Sequence, residues 1–155
     1  LIDPLRENVA RFRGVFNLFI VIVIAFLLYL HLLTLIYNLG VPFRMSRMML
    51  PALGVLIFFA GELMRRAKRN WFIGIRTPWT LSDDRVWAET HRLGSLLFKA
   101  AAGLILLSAF LPAGAFPLAL GAVLLAALVP LGYSYWLYER YRRQDLALQH
   151  KENNR

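Results

Sequence analysis

Cysteine is absent from all 155 residues, so neither a disulfide nor a thiolate metal site is available to this chain. Acidic residues are scarce, nine against eighteen Lys and Arg, which leaves a net charge of +9. A histidine pair framing a glutamate, a glycine-framed serine and a glycine-rich phosphate loop are missing as well. These gaps remove common routes to metal, nucleophilic and nucleotide chemistry. The sequence therefore reads as a non-enzyme that needs no metal and no cofactor.

What fills the chain is apolar. It is 59% hydrophobic with a mean hydropathy of +0.54, too apolar for a soluble domain of this size. Four stretches, about 15–39, 43–64, 95–111 and 116–138, are each long enough for a hydrocarbon core of ~30 Å, which takes about 20 helical residues. The expected fold is an all-α membrane protein, a four-transmembrane-helix bundle forming one domain over 1–155. The first span is too long for a signal-peptide core and no small-residue cleavage site follows it, so it is expected to stay in the chain. Leu1, in place of an initiator methionine, predicts a processed or truncated chain.

The basic residues segregate by side. Arg6, Arg11 and Arg13 precede the first span, and Arg65, Arg66, Lys68, Arg69, Arg76, Arg85, Arg92 and Lys99 cluster around the second connection. Arg140, Arg142, Arg143, Lys151 and Arg155 follow the fourth span. Only Arg44 and Arg47 fall on the other side. This asymmetry predicts a multi-pass protein of the bacterial inner membrane, with both termini and the 65–94 loop cytoplasmic. The positive charge thus reports topology, and no direct nucleic-acid partner is expected.

Local signals refine the spans. Asp3-Pro4 reads as a helix start whose helix continues through Phe12 into the first span, and Gly40 and Pro42 end it. His31, Thr34 and Asn38 form a polar stripe on that span, expected to face other helices. Gly54 and Gly61 share a face of the second span and predict close helix approach, while Pro51 and Pro130 predict bends. Pro112, Gly114 and Pro117 predict a tight uncharged turn, and Ala122 and Ala126 a packing face. Tyr133, Tyr135, Trp136 and Tyr138 form an aromatic belt ahead of a basic polar tail.

The stretch 70–94, NWFIGIRTPWTLSDDRVWAETHRLG, is the one long interval that is not simply apolar. It holds Trp71, Trp79 and Trp87, three of the four tryptophans, and is too rich in turns and aromatics for a bare connector. Pro78 restricts Thr77 to extended backbone, so 76–79 is expected to be a fixed corner rather than a helix, with Arg76 engaging an acid or helix-end carbonyls. One reading of this stretch is an interfacial anchor of aromatics and arginines; the other is a rigid platform for a partner or ligand. Ser82-Asp83-Asp84 predicts an N-cap and first-turn acids for a helix running on to Leu111. Gly94 and Gly103 are expected to leave that helix room against its neighbours.

Three polar residues mark a candidate intramembrane site. Glu62 reads as an interfacial ion-pair partner of the nearby arginines, or else as a buried functional acid. Lys99 either snorkels to the interface or pairs with Glu62. His31 is an interhelical hydrogen bonder or a proton-linked site.

The run Asn70-Trp71-Phe72-Ile73-Gly74-Ile75-Arg76-Thr77-Pro78-Trp79-Thr80-Leu81, with Val86-Trp87 and Thr90-His91-Arg92-Leu93-Gly94, closely resembles the signature of the SdpI family of bacterial membrane proteins. Asp3-Pro4, Glu7-Asn8 and 31–40 are similar to the segment that precedes this signature in family members. The resemblance implies Asn70, Phe72, Gly74, Arg76, Thr77, Pro78, Trp79, Trp87, His91, Arg92 and Gly94 as motif residues. The family's namesake is an immunity protein that protects its producer from a secreted toxin peptide and holds a transcriptional repressor at the membrane. The resemblance thus implies immunity or signal relay, with the lipid bilayer, a toxin peptide and a cytoplasmic repressor as partners. An alternative is a small solute- or lipid-binding transport protein with a pocket at Glu62, Arg76, His91 and Lys99. A third reading is a membrane enzyme using Asp83, Asp84, Glu89 and His91.

Overall fold

The computed structural model describes residues 6–111 and 115–153. Six helices follow in order: α1 (Arg6–Ala10), α2 (Arg13–Asn38), α3 (Met45–Arg66), α4 (Pro78–Ser82), α5 (Asp84–Ser108) and α6 (Ala115–Asn153). The four long ones, α2, α3, α5 and α6, are long and apolar enough to cross a membrane. The chain is all-helical over its described residues, and Asp3-Pro4, Pro112 and Gly114 lie outside them.

The bundle is assembled around α5, which packs against both α3 and α6, while α2 leans on α3. Small residues set the close approaches. A Cβ added at Gly54 would meet the Leu106 side chain at 2.8 Å, and one at Gly61 would meet the Ser95 carbonyl oxygen at 3.0 Å. The Gly54/Gly61 face of α3 is therefore pressed onto α5, which supplies the close helix approach its spacing predicts. On the other flank Ala101 of α5 is buried with Ala122 and Ala126 of α6. Small residues replace large ones here because van der Waals packing, rather than a hydrophobic drive, holds helices together in lipid.

Several sequence expectations are corrected. The first helix does not run on from the N-terminus: it breaks at Arg11–Phe12, where Phe12 leaves helical geometry (φ −125°, ψ 18°). The break turns the Phe12 ring inward to be buried with Leu63, Ala67 and Trp87. Helix α5 ends at Ser108 rather than Leu111, and 109–111 turn through bonds to Leu106, Leu107 and Ser108 carbonyls. Helix α6 does not stop near Tyr138. It continues through the basic tail to Asn153, 39 residues or roughly 58 Å at 1.5 Å per residue, far beyond a bilayer core. The tail stays helical partly because Arg85 holds it, in a bidentate pair with Asp145 (3.2 and 2.6 Å) and over the Tyr141 ring.

Contacts between α1 and the α3–α5 connection, and between that connection and α6, bring the N-terminal segment, residues 67–83 and the α6 extension to one end of the bundle. The α2–α3 connection occupies the opposite end.

Candidate functional site

Between α3 and α5 the chain folds into a corner, built step by step by residues of the 70–94 stretch. Asn70 comes first. Its side chain is fully buried and uses its whole hydrogen-bonding capacity. Oδ1 accepts from the Phe72 and Ile73 amides at 2.8 and 2.7 Å, and Nδ2 donates to the Lys68 and Ile73 carbonyls at 2.7 and 3.2 Å. A local side-chain turn of this kind needs an amide, because only an amide offers both donors and acceptors at that reach.

Gly74 follows with φ +105°, a left-handed conformation natural to glycine. Its Cα lies directly against the His91 ring, so a Cβ there would overlap Nε2. The close approach lets the Ile75 amide donate to His91 Nε2 at 3.0 Å. An amide can only donate, so Nε2 is the bare nitrogen. The proton then sits on Nδ1, which donates to the Trp87 carbonyl at 2.8 Å. His91 is thereby a neutral imidazole of one tautomer, buried and stacked on Trp87 (3.9 Å between centroids, 17°). It joins loop to helix.

Thr77 and Thr80 then close the corner. Thr77 is extended (φ −88°, ψ 159°), as the following proline demands, and Pro78 opens α4 where its missing N–H costs nothing. Each threonine hydroxyl accepts the other's backbone amide, a reciprocal capping box. The expected non-helical corner over 76–79 is thus corrected. The turn is at Thr77, and Trp79 already belongs to a helix. From there Trp79 Nε1 donates to Ser134 Oγ of α6, and its ring meets Tyr135 edge-on at 5.2 Å.

Three further links anchor the corner to the bundle. Trp87 Nε1 donates to the Ala67 carbonyl at 2.9 Å, satisfying the open end of α3. Arg69 donates to the Leu81 carbonyl at 2.7 Å and pairs with Asp84 at 2.8 Å, so it spans the corner from inside. Asn8 reaches in from α1 to the Arg69 carbonyl at 2.9 Å. Gly94 packs on Met64 and Ile75, with no room for a side chain. Gly103, expected to resemble it, has open space around it.

Arg76 departs from expectation. It is exposed and donates to the Trp71 carbonyl, a loop group rather than an acid or a helix end. A guanidinium at the rim can stay hydrated and needs no buried partner. Phe72 and Trp71 are exposed beside it, and Arg92 points outward from α5.

The intramembrane polar trio is divided. Glu62 and Lys99 meet at 2.6 Å, and Glu62 also takes Arg66 at 2.6 Å and Arg65 at 3.1 Å. His31 does not join them. It lies on an exposed face of α2, in the half remote from the corner, and Thr34 bonds back to the Leu30 carbonyl. The expectation that this stripe faces other helices fails because α2 turns its other side, with Leu33, toward the bundle. Nor do Arg76 and His91 share a pocket with Glu62 and Lys99, since His91 is sealed beneath Gly74. Asp83, Asp84 and Glu89 likewise face separate arginines (Arg85, Arg69 and Arg92) and do not converge. Among the described residues no cluster of three or more His, Asp and Glu could hold a metal ion.

Sequence reasoning passed over Ser134 and Asp145, and it named Asn8 and Arg69 without giving either a place in the corner. Ser134 carried a signal: a small polar residue inside an aromatic run, fully buried in the fold. The other three sit among charged or polar neighbours that resemble any solvated face.

A model of the SdpI/YfhL protein family matches residues 66–134. Over 81 residues the chain is 32% identical to the immunity protein SdpI of Bacillus subtilis (strain 168), which covers 52% of this chain and 39% of that relative. The chain therefore aligns with well under half of the relative's length. No solved structure matches the chain. The resemblance read from the motif and the family match coincide: residues 66–134, which include the corner from Asn70 to Trp87 and His91, are similar to the SdpI/YfhL protein family.

Proposed function

We propose that this chain acts as an immunity-type protein of the bacterial inner membrane, protecting the cell from a membrane-active toxin peptide and presenting its folded corner to the cytoplasm. The observation that carries the reading is the coincidence of the family match with the corner, which hydrogen bonds from Asn70, His91 and Thr77 hold together around Gly74. The basic residues support a cytoplasmic corner, because α1, 65–92 and the α6 extension hold almost all of them at one end. In this reading the spans form a single domain and meet the toxin, while the corner and the α6 extension are available to a cytoplasmic repressor. No step requires catalysis.

The test is survival of toxin-challenged cells with and without the chain, with repressor recruitment to the membrane scored separately. Protection by the wild type and loss in Gly74→Ala at equal protein level are expected; equal survival of cells lacking the chain overturns the reading. Because the chain has no cysteine, Ser82→Cys, Asn153→Cys and Ser46→Cys each place one thiol for an impermeant reagent. Labelling in intact cells is expected at Ser46→Cys alone. Labelling at Ser82→Cys instead would reverse the orientation.

A further inference from the structure

A groove of about 410 Å³ opens on the flank of α5, away from the corner's interior. Arg65 of α3, Arg92 and Lys99 of α5, and Tyr133 of α6 line it, over a floor that includes Ser95 and Leu96. We propose that this groove binds the headgroup of an anionic phospholipid from the surrounding bilayer, with an acyl chain laid along α5.

Charge complementarity is the first argument. Three cations, Arg65, Arg92 and Lys99, line the groove against one carboxylate, Glu89, and Lys99 and Arg65 also pair with Glu62 behind it. Glu62 is already shared among three cations, and Glu89 approaches Arg92 at only 4.0 Å. The arginines therefore keep donors free for phosphate oxygens, which planar guanidinium groups bind in pairs. Lys99 is held in place by Glu62 and by the Phe58 ring 5.5 Å away, so its charge is prepositioned. Tyr133 is fixed by stacking on Trp136 at 5.7 Å and forms a firm wall.

The second argument is position along the helix. Arg92, Leu96, Ala100 and Leu104 follow at four-residue steps and are all exposed, and Leu107 closes the row. A cationic head thus sits above a continuous apolar track containing the small Ala100, with the open Gly103 beside it. That is the outline of one amphiphile lying head toward the corner. A free anion would use the head of the groove and leave the track unused. Basic side chains at a membrane surface attract anionic lipid, so the unused donors of Arg65 and Arg92 together give measurable selectivity.

The experiment is native mass spectrometry of the detergent-purified full chain titrated with phosphatidylglycerol or phosphatidylcholine. The wild type is expected to prefer phosphatidylglycerol. Arg65→Ala/Arg92→Ala should weaken that binding roughly tenfold, while Arg44→Ala/Arg47→Ala, an equal charge change at the opposite end of the bundle, leaves it intact. Arg92→Ala alone, at a side chain 82% exposed, should act in the same direction without disturbing the Glu62 ion pairs. Unchanged affinity in both groove variants would overturn the proposal, as would equal weakening by the control pair. Displacement of the lipid by inorganic phosphate at equal concentration would overturn the assignment to lipid.

Discussion

Helices α2 and α5 have nearly the same length, 26 and 25 residues, yet they sit in the bundle in opposite ways. The more apolar of the two, α2, buries Leu33 alone; the more polar, α5, buries ten residues, among them Thr90, His91, Ser95 and Ser108. In water that ranking would be perverse. In lipid it is expected, because hydrocarbon accepts leucine as readily as a protein interior does. Polar and small residues mark the inside, and unbroken hydrophobicity marks the surface. The difference also locates the candidate sites: α5 carries His91 and Gly94 of the corner and both α5 cations of the proposed groove, while α2 contributes mainly a wall.

The comparison is sharpest in packing. Gly94→Leu would drive a side chain into Met64 and Ile75 and should cost about 3 kcal/mol of stability, enough to lower the yield of folded protein. Leu28→Ala on α2, at an exposed position, should change stability by less than about 0.5 kcal/mol. Thermal unfolding of both in the same detergent checks the contrast. Equal losses would mean that α2 is packed as tightly as α5.

A middle-sized effect separates two glycines that share a left-handed backbone. Gly74→Ala adds collision with His91 to the strain of φ +105°, and should cost about 2–3 kcal/mol. Gly40→Ala in the α2–α3 connection meets only strain, at φ +85° with open space around it, and should cost about 1 kcal/mol. Chemical denaturation of the pair checks the order. A larger loss at Gly40 would contradict the tight fit of His91 under Gly74.

The smallest effect is expected at Arg76. Its guanidinium is exposed and donates to one loop carbonyl, so Arg76→Lys should cost about 0.5 kcal/mol or less. A loss above about 2 kcal/mol would show that Arg76 is buried against a partner.

Much of this arrangement was legible in the residues, for reasons that separate cleanly. The four long helices follow from hydrophobic runs, the start of α5 from Ser82-Asp83-Asp84, although the cap is Asp83 and Ser82 ends α4, and a close helix approach from Gly54 and Gly61 seven residues apart. Each is a local or periodic signal. The corner's internal wiring was not legible, because the His91–Ile75 bond joins residues 16 apart and Trp79–Ser134 residues 55 apart. Pro78 announced a turn, but a proline at the first helical position and a proline that forbids helix look alike until the Thr77–Thr80 capping box is seen. His31 misled for a different reason. A polar stripe on an apolar rod predicts burial only if a neighbour is there to cover it, and α2 has α3 on its other face.

Amide hydrogen exchange in reconstituted protein tests the folded corner most directly, comparing the amides of Phe72, Ile73 and Ile75 with that of Leu39 in the α2–α3 connection. The first two amides are held by the Asn70 side chain and the third by His91, so all three should exchange as slowly as amides in the middle of α5. Leu39 is held only by its own helix end and should exchange faster. His91→Ala should release Ile75 while leaving Phe72 protected. Exchange of Phe72, Ile73 and Ile75 as fast as Leu39 in the wild type would contradict a rigid corner.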